Sequence, residues 1–98
     1  MSNGKPGDVI VNEGGTLWAF WCPGCATAHG IDVKPGGWTF DGNTKRPTIG
    51  GSILVLGPKR CHSIVTDGVI DFLVDTDGMM ANTQMELPEW PFLRKKDF

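Results

Sequence analysis

Apolar and polar residues alternate most clearly between Cys61 and Asp75, where two β-rich runs flank Asp67-Gly68. An Asp-Gly pair supplies the positive φ angles that a two-residue hairpin turn needs. In that register Thr66 faces Val69, Ile64 faces Asp71, His62 faces Leu73 and Cys61 faces Val74. Side chains alternate sides along a strand, so Cys61, Val65, Ile70, Phe72 and Val74 share a strongly apolar face. His62, Ile64, Asp71, Leu73 and Asp75 share the other. Cys61 is thereby expected in the core, and His62 diagonally beside two carboxylates. A slip of one residue or a bulge would exchange the faces.

The remaining pattern is shorter and more broken. Asp8–Val11 is apolar and β-branched, and Glu13-Gly14-Gly15 turns the chain. Thr16–Trp21 reads as a strand running straight into Cys22-Pro23-Gly24-Cys25. Ile31–Val33 is a short strand ended by Pro35-Gly36-Gly37, and Trp38-Thr39-Phe40 pairs across Asp41-Gly42-Asn43. Pro47–Gly51 is irregular, and Ser52–Leu56 is an apolar run expected as a buried strand. Glu86-Leu87-Pro88-Glu89-Trp90-Pro91 closes the domain as an extended edge. The expected organisation is a flexible arm over residues 1–7, one β-domain over 8–92 and a frayed tail over 93–98. The fold class that follows is all-β: a small, loop-rich antiparallel domain built around the central 61–75 hairpin and stabilised by a zinc site.

Composition supports that class. The chain has 98 residues, with 14 Gly and 7 Pro. The longest stretches free of both are 59–67, 69–77 and 79–87. All are shorter than a mean helix of about 11–12 residues, which argues against a bundle, a coiled coil or a long recognition helix. No apolar run approaches the roughly 20 residues that span a bilayer, and the first residues lack the apolar segment of a signal peptide. Net charge is −2, but its distribution is uneven. Asp67, Asp71, Asp75, Asp77, Glu86 and Glu89 follow one another with no intervening Lys or Arg, and such a stretch repels phosphate. A solvated acidic face is the plain reading, and nucleic acid is not the expected partner. The basic pairs Lys45-Arg46 and Lys59-Arg60 offer only local phosphate contacts.

Three cysteines are an odd number, which argues against a disulfide framework and for a reducing cytoplasm. Cys22-x-x-Cys25 has the spacing at which two thiolates ligate one zinc ion while backbone amides support the sulfurs. Cys61 supplies the third thiol. The fourth ligand is His29 or His62. Adjacent residues of a regular strand cannot both reach one ion, so ligation by Cys61 favours His29 and frees His62. Two rivals compete. A thioredoxin-type redox pair requires the first Cys at the start of a helix, and the chain from Cys25 through Gly30 to Pro35 has no room for one. Three buried, inert cysteines are the other rival.

His62, Asp71 and Asp75 could together hold a general base or a second metal. The plainer account is a surface histidine beside solvated carboxylates. Trp18, Trp21, Trp38 and Trp90 are either an aromatic binding surface or core and rim filler, and a domain this small favours filler. Met79, Met80 and Met85 read the same way. No phosphate-binding glycine loop and no serine nucleophile motif is present.

The ordered set Phe20-Trp21-Cys22-Pro23-Gly24-Cys25, His29, Gly37-Trp38-Thr39-Phe40, Gly42-Asn43, Arg46-Pro47-Thr48, Ser52, Cys61-His62-Ser63, Asp67-Gly68 and Ile70-x-Phe72 resembles a known family. It is a family of small Cys/His proteins of unknown function, widespread in tailed phages and prophages and sometimes mislabelled ammonia monooxygenase. The resemblance runs from about Leu17 to Pro91. It implies a metal site carried by Cys22, Cys25, His29, Cys61 and His62. Some relatives sit beside ubiquitin-like conjugation components in bacterial operons, which implies a metal-dependent peptidase role for them. Relatives continue after the hairpin with Asp-x-x-His-x-x-Ala-Gly. Here Gly78 stands at the His position and Asn82 at the Gly position, so any family activity needing that His is lost, whereas a structural zinc site survives.

The expected function is a zinc-binding phage or prophage accessory protein, its Zn2+ mainly structural, acting in the host cytoplasm on a protein partner of host or phage. In a domain this small a structural zinc supplies much of the folding free energy. The alternative is a metal-dependent, peptidase-like hydrolase with an open coordination position and His62, Asp71 or Asp75 as base. A zinc-ribbon-like nucleic-acid binder is third, with the charge balance against it.

Overall fold

The structure, a computed structural model, describes residues 5–57 and 59–92. Residues 1–4 of the expected arm, Pro58 and the whole expected tail, 93–98, lie outside the described residues. Within the described residues the chain is all-β, with three antiparallel sheets and one short 3-10 turn over Gly78–Met80. None of its helices is long and apolar enough to cross a membrane.

The first sheet joins β1 (Ile10–Gly14), β2 (Leu17–Cys22) and β3 (Thr27–Asp32) in chain order. Gly14 and Gly15, at φ 128° and 55°, make the turn into β2 that most residues resist. Phe20 sits opposite both Ile10 and His29, and Cys22 sits opposite Thr27. Alternation therefore places Ile10, Phe20, Cys22, His29 and Ile31 on one face, and all five are buried. On the opposite face Val11 and Ala19 pack with Trp90 and Trp21. The Trp90 N–H donates to Asp8 O at 2.9 Å, which fastens the C-terminal segment over that face.

Strand β3 begins earlier than the Ile31–Val33 expected from sequence. Six consecutive pairs with β2 hold it from Thr27 to Asp32, so tertiary pairing overrides the weak β propensity of Thr-Ala-His-Gly. The second sheet differs from expectation too. β4 (Thr39–Phe40) pairs with β5 (Ile49–Gly50), not across Asp41-Gly42-Asn43. The intervening loop is folded by side chains. Asp41 Oδ1 accepts the N–H groups of Asn43 and Thr48, and Asn43 Oδ1 accepts those of Lys45 and Arg46, as Asx turns do.

The third sheet runs β6 (Ile53–Leu56), β7 (Arg60–Thr66), β8 (Val69–Phe72) and β9 (Gln84–Glu86) in order. The β7–β8 register is the one read from Asp67-Gly68, with Thr66 opposite Val69 and Ile64 opposite Asp71. Cys61, Ser63, Val65, Ile70 and Phe72 face inward and are buried. Val74 is corrected: it is 73% exposed. The chain leaves the ladder after Leu73, whose N–H donates to His62 O, and Thr76 then takes over. Its hydroxyl accepts the His62 N–H at 3.0 Å and donates to His62 O at 2.8 Å. β6 is a half-buried edge and not the buried strand expected: Ile53 is inside while Leu54 and Leu56 are 49% and 69% exposed.

All three sheets contribute to one core, which includes Ile10, Phe20, Ile49, Ile53, Val65, Ile70 and Phe72. Burial of Phe20 and Phe72, each at most 1% exposed, contributes about 1.5–3 kcal/mol apiece. The tryptophans serve as filler. Trp18 and Trp38 pack against this core, Trp18 at 4.8 Å from the Phe40 ring, and Trp90 joins the smaller cluster.

Candidate metal centre

Cys22 ends β2 on the inner face of the first sheet. The chain then reverses within four residues, with the Ala26 N–H donating to Cys22 O at 2.8 Å and Ala26 left-handed at φ 53°. This tight turn aims the backbone N–H groups of Gly24 and Cys25 at the Cys22 sulfur. Gly24 has no room for a side chain. A Cβ there would lie 2.7 Å from Phe72 Cζ and 3.2 Å from Met80 Cγ.

His29 reaches the same place from β3, because its pairing with Phe20 puts it on the face that carries Cys22. The Phe20 ring holds it edge-on, with centroids 5.7 Å apart and planes at 89°. Cys61 arrives from β7 of the third sheet, opposite Val55 of β6. Its Sγ lies 3.9 Å from that of Cys22. The four potential ligand atoms of Cys22, Cys25, His29 and Cys61 lie within 4.8 Å of one another, and the three cysteines are free thiols.

This cluster fits a tetrahedral cation. Two sulfurs at about 2.3 Å from one zinc stand about 3.8 Å apart, close to the observed Cys22–Cys61 separation. The buried His29 Nε2 has no hydrogen-bond partner in the protein, an expense that a ligand position removes. Electrostatics points the same way. Burial raises the Cys22 and Cys61 thiols above their usual range, and the neighbouring sulfurs push both the same way. Burial also lowers His29, with the backbone of Ala28 pulling the other way. Neutral imidazole is the form that binds metal, and thiolates crowded this closely require a nearby dication. A Cys3His set suits zinc in particular. Raised thiols followed by a strand and not a helix leave the thioredoxin-type reading without its physical basis.

His62 does not join the cluster, although the sequence had kept it as a candidate ligand. It follows Cys61 on a regular strand and faces the other side of the sheet. There its Nδ1 lies 2.9 and 3.0 Å from the two oxygens of Asp75. The hydrogen bond from His62 is the main reason the Asp75 carboxyl sits below its ordinary range. Asp71, the other carboxylate named from sequence, instead accepts from Gln84 Nε2 at 3.4 Å. The part played by Thr76 in locking His62 in place was not legible in the residue pattern, because it depends on where the chain returns after the hairpin. Among the described residues no serine hydroxyl hydrogen-bonds a histidine. Ser63 Oγ is buried without a partner.

A cleft of about 340 Å³ opens beside the cluster, with Cys25 and His29 in its wall, Lys59 and Arg60 along it, and Phe72 and Met80 as apolar lining.

The family described as "Bacterial ubiquitination-like system serine protease (BubE)" matches residues 2–73. That span holds all four clustered ligands and His62, and stops short of Asp75. No curated protein and no solved structure matches the chain.

Proposed function

The chain belongs to the bacterial ubiquitination-like system serine protease (BubE) family, and from that premise we propose that it is a zinc-stabilised β-domain acting as a binding or accessory protein. The observation that carries this reading is the closed donor set: Cys22, Cys25, Cys61 and His29 together satisfy the four positions of a structural zinc. Zinc held there would cross-link the β2–β3 turn to β7. The chain's own residues prepare the place. The Gly24 and Cys25 amides support the Cys22 sulfur, Phe20 orients His29, and Phe72 backs the turn at Gly24. The partner is a protein, drawn from the ubiquitination-like system that the family's description names, and the gene is of phage or prophage origin. Elemental analysis and thermal melts before and after chelation test this reading. One zinc per chain and unfolding on its removal support it, and a metal-free, equally stable protein overturns it.

A second reading, a peptidase, draws on the family's description and on the His62–Asp75 hydrogen bond. An imidazole oriented by a carboxylate is the arrangement of a general base. Its weakness is the nucleophile, since no hydroxyl among the described residues meets the His62 ring. The metal-dependent form is weaker still, because His62, Asp71 and Asp75 stand outside the four-residue cluster. Cleavage of a peptide substrate by wild type but not by His62→Ala, with zinc content unchanged, would favour the peptidase.

A further inference from the structure

We propose that Cys25 is an oxidation site through which hydrogen peroxide opens the metal centre. The inference rests on the zinc reading above for its consequence, though not for the identity of the reacting sulfur. The three sulfurs are unequal in access. Cys22 and Cys61 are 0% and 1% exposed, whereas Cys25 is exposed and lines the 340 Å³ cleft. That volume admits a small peroxide with ease, and Lys59 in the cleft wall adds positive charge near the departing hydroxide. Both buried sulfurs lie within 4.8 Å of Cys25, so a resolving thiol is at hand on either side.

The chemistry balances in two steps. The Cys25 thiolate attacks one peroxide oxygen, the O–O bond breaks, hydroxide leaves, and Cys25 becomes a sulfenic acid. The thiolate of Cys61 or Cys22 then attacks the Cys25 sulfur, the S–O bond breaks, and a second hydroxide leaves. Two thiolates have lost two electrons to form a disulfide, and the peroxide has been reduced by two. One thiol and His29 remain, too few donors to retain zinc. A Cys22–Cys25 disulfide leaves the β2–β3 turn without its link to β7, whereas a Cys25–Cys61 disulfide replaces the metal link by a covalent one; both remove the fourfold donor set.

The test treats the full-length protein, as purified, with hydrogen peroxide. Zinc release is followed with a chromophoric chelator, and disulfides are located by peptide mapping. The expected result is release of zinc in step with a disulfide that contains Cys25, reversed by a thiol reductant and added zinc. Cys25→His, which keeps four zinc donors but removes the reacting sulfur, should slow release several-fold. A Cys22–Cys61 disulfide with Cys25 free overturns the proposal, as does oxidation confined to Met79, which is 94% exposed, with Cys25 unchanged. If the purified protein holds no zinc, the structural-zinc reading fails separately, and mapping of the metal-free protein still decides whether Cys25 reacts first. If Cys25→His does not fold, the wild-type map decides alone.

Discussion

Cys22 and Cys61 are separated by 39 positions in the chain, yet their sulfurs lie 3.9 Å apart between two different sheets. A bond to one shared ion would close that long loop and remove much of the unfolded chain's freedom. The consequences of the site for stability follow from this pair.

If the site holds zinc as proposed, its removal should unfold the domain. Apparent binding free energies of structural zinc in finger peptides are about 10–16 kcal/mol, comparable to the whole stability of a small domain, about 5–15 kcal/mol. Chelation should therefore abolish the cooperative thermal transition, and Cys61→Ser should do the same without chelator. Circular dichroism with parallel metal analysis checks both.

The two histidines should separate cleanly. His29→Ala removes a buried ligand and should cost most of the bound zinc, whereas His29→Cys keeps four donors and should retain it. His62→Ala should leave zinc content unchanged, because that ring is committed to Asp75 on the opposite face. Equal metal loss in His29→Ala and His62→Ala would contradict the four-residue assignment.

Gly24→Ala should destabilise by about 1–3 kcal/mol through overpacking. The new methyl meets the Phe72 ring at 2.7 Å, and that ring is fixed in the core. Partial recovery in the double variant with Phe72→Leu, measured by chemical denaturation, would trace the cost to this contact.

Asp8 should make the fold acid-sensitive. Burial by itself raises its pKa, but Lys45 Nζ at 2.8 Å, the Lys5 N–H at 2.8 Å and the Thr44 hydroxyl at 2.7 Å outweigh it, and the folded value is lowered. A depressed folded pKa means that the carboxylate stabilises fully above the unfolded value of about 3.9. That contribution is lost as pH falls through the lower folded value. Asp8→Asn should cost about 1–3 kcal/mol at neutral pH, and the gap between the two proteins should close below pH ~4. Denaturation curves at a series of pH values check this.

The parts legible in the sequence were those governed by local rules. Asp67-Gly68 set a turn whose register follows from φ preferences alone, and the alternation around it put Cys61 inside. Cys22-x-x-Cys25 with its Pro and Gly announced a tight turn that presents amides to a sulfur. Where competing contacts decide, the pattern misled. Val74 looked like a core residue, but the Thr76 hydroxyl captures both backbone groups of His62 and turns the chain away. The loop 41–48 is held by Asp41 and Asn43 side chains, which pushes the pairing of Thr39–Phe40 out to Ile49–Gly50.

The sequence by itself determined the all-β class, the central hairpin and the supply of sulfur and imidazole, because turn chemistry and period-two alternation act over a few residues. Only the tertiary structure decided that His29 and the three thiols meet. His29 and His62 carry the same side chain, and their difference is one of facing. Pairing with Phe20 turns His29 toward Cys22, while the step after Cys61 turns His62 away to Asp75. Alternation along β7 already set His62 apart from Cys61. The meeting of His29 with thiols from two sheets depends on how those sheets pack against each other, and no local pattern encodes that.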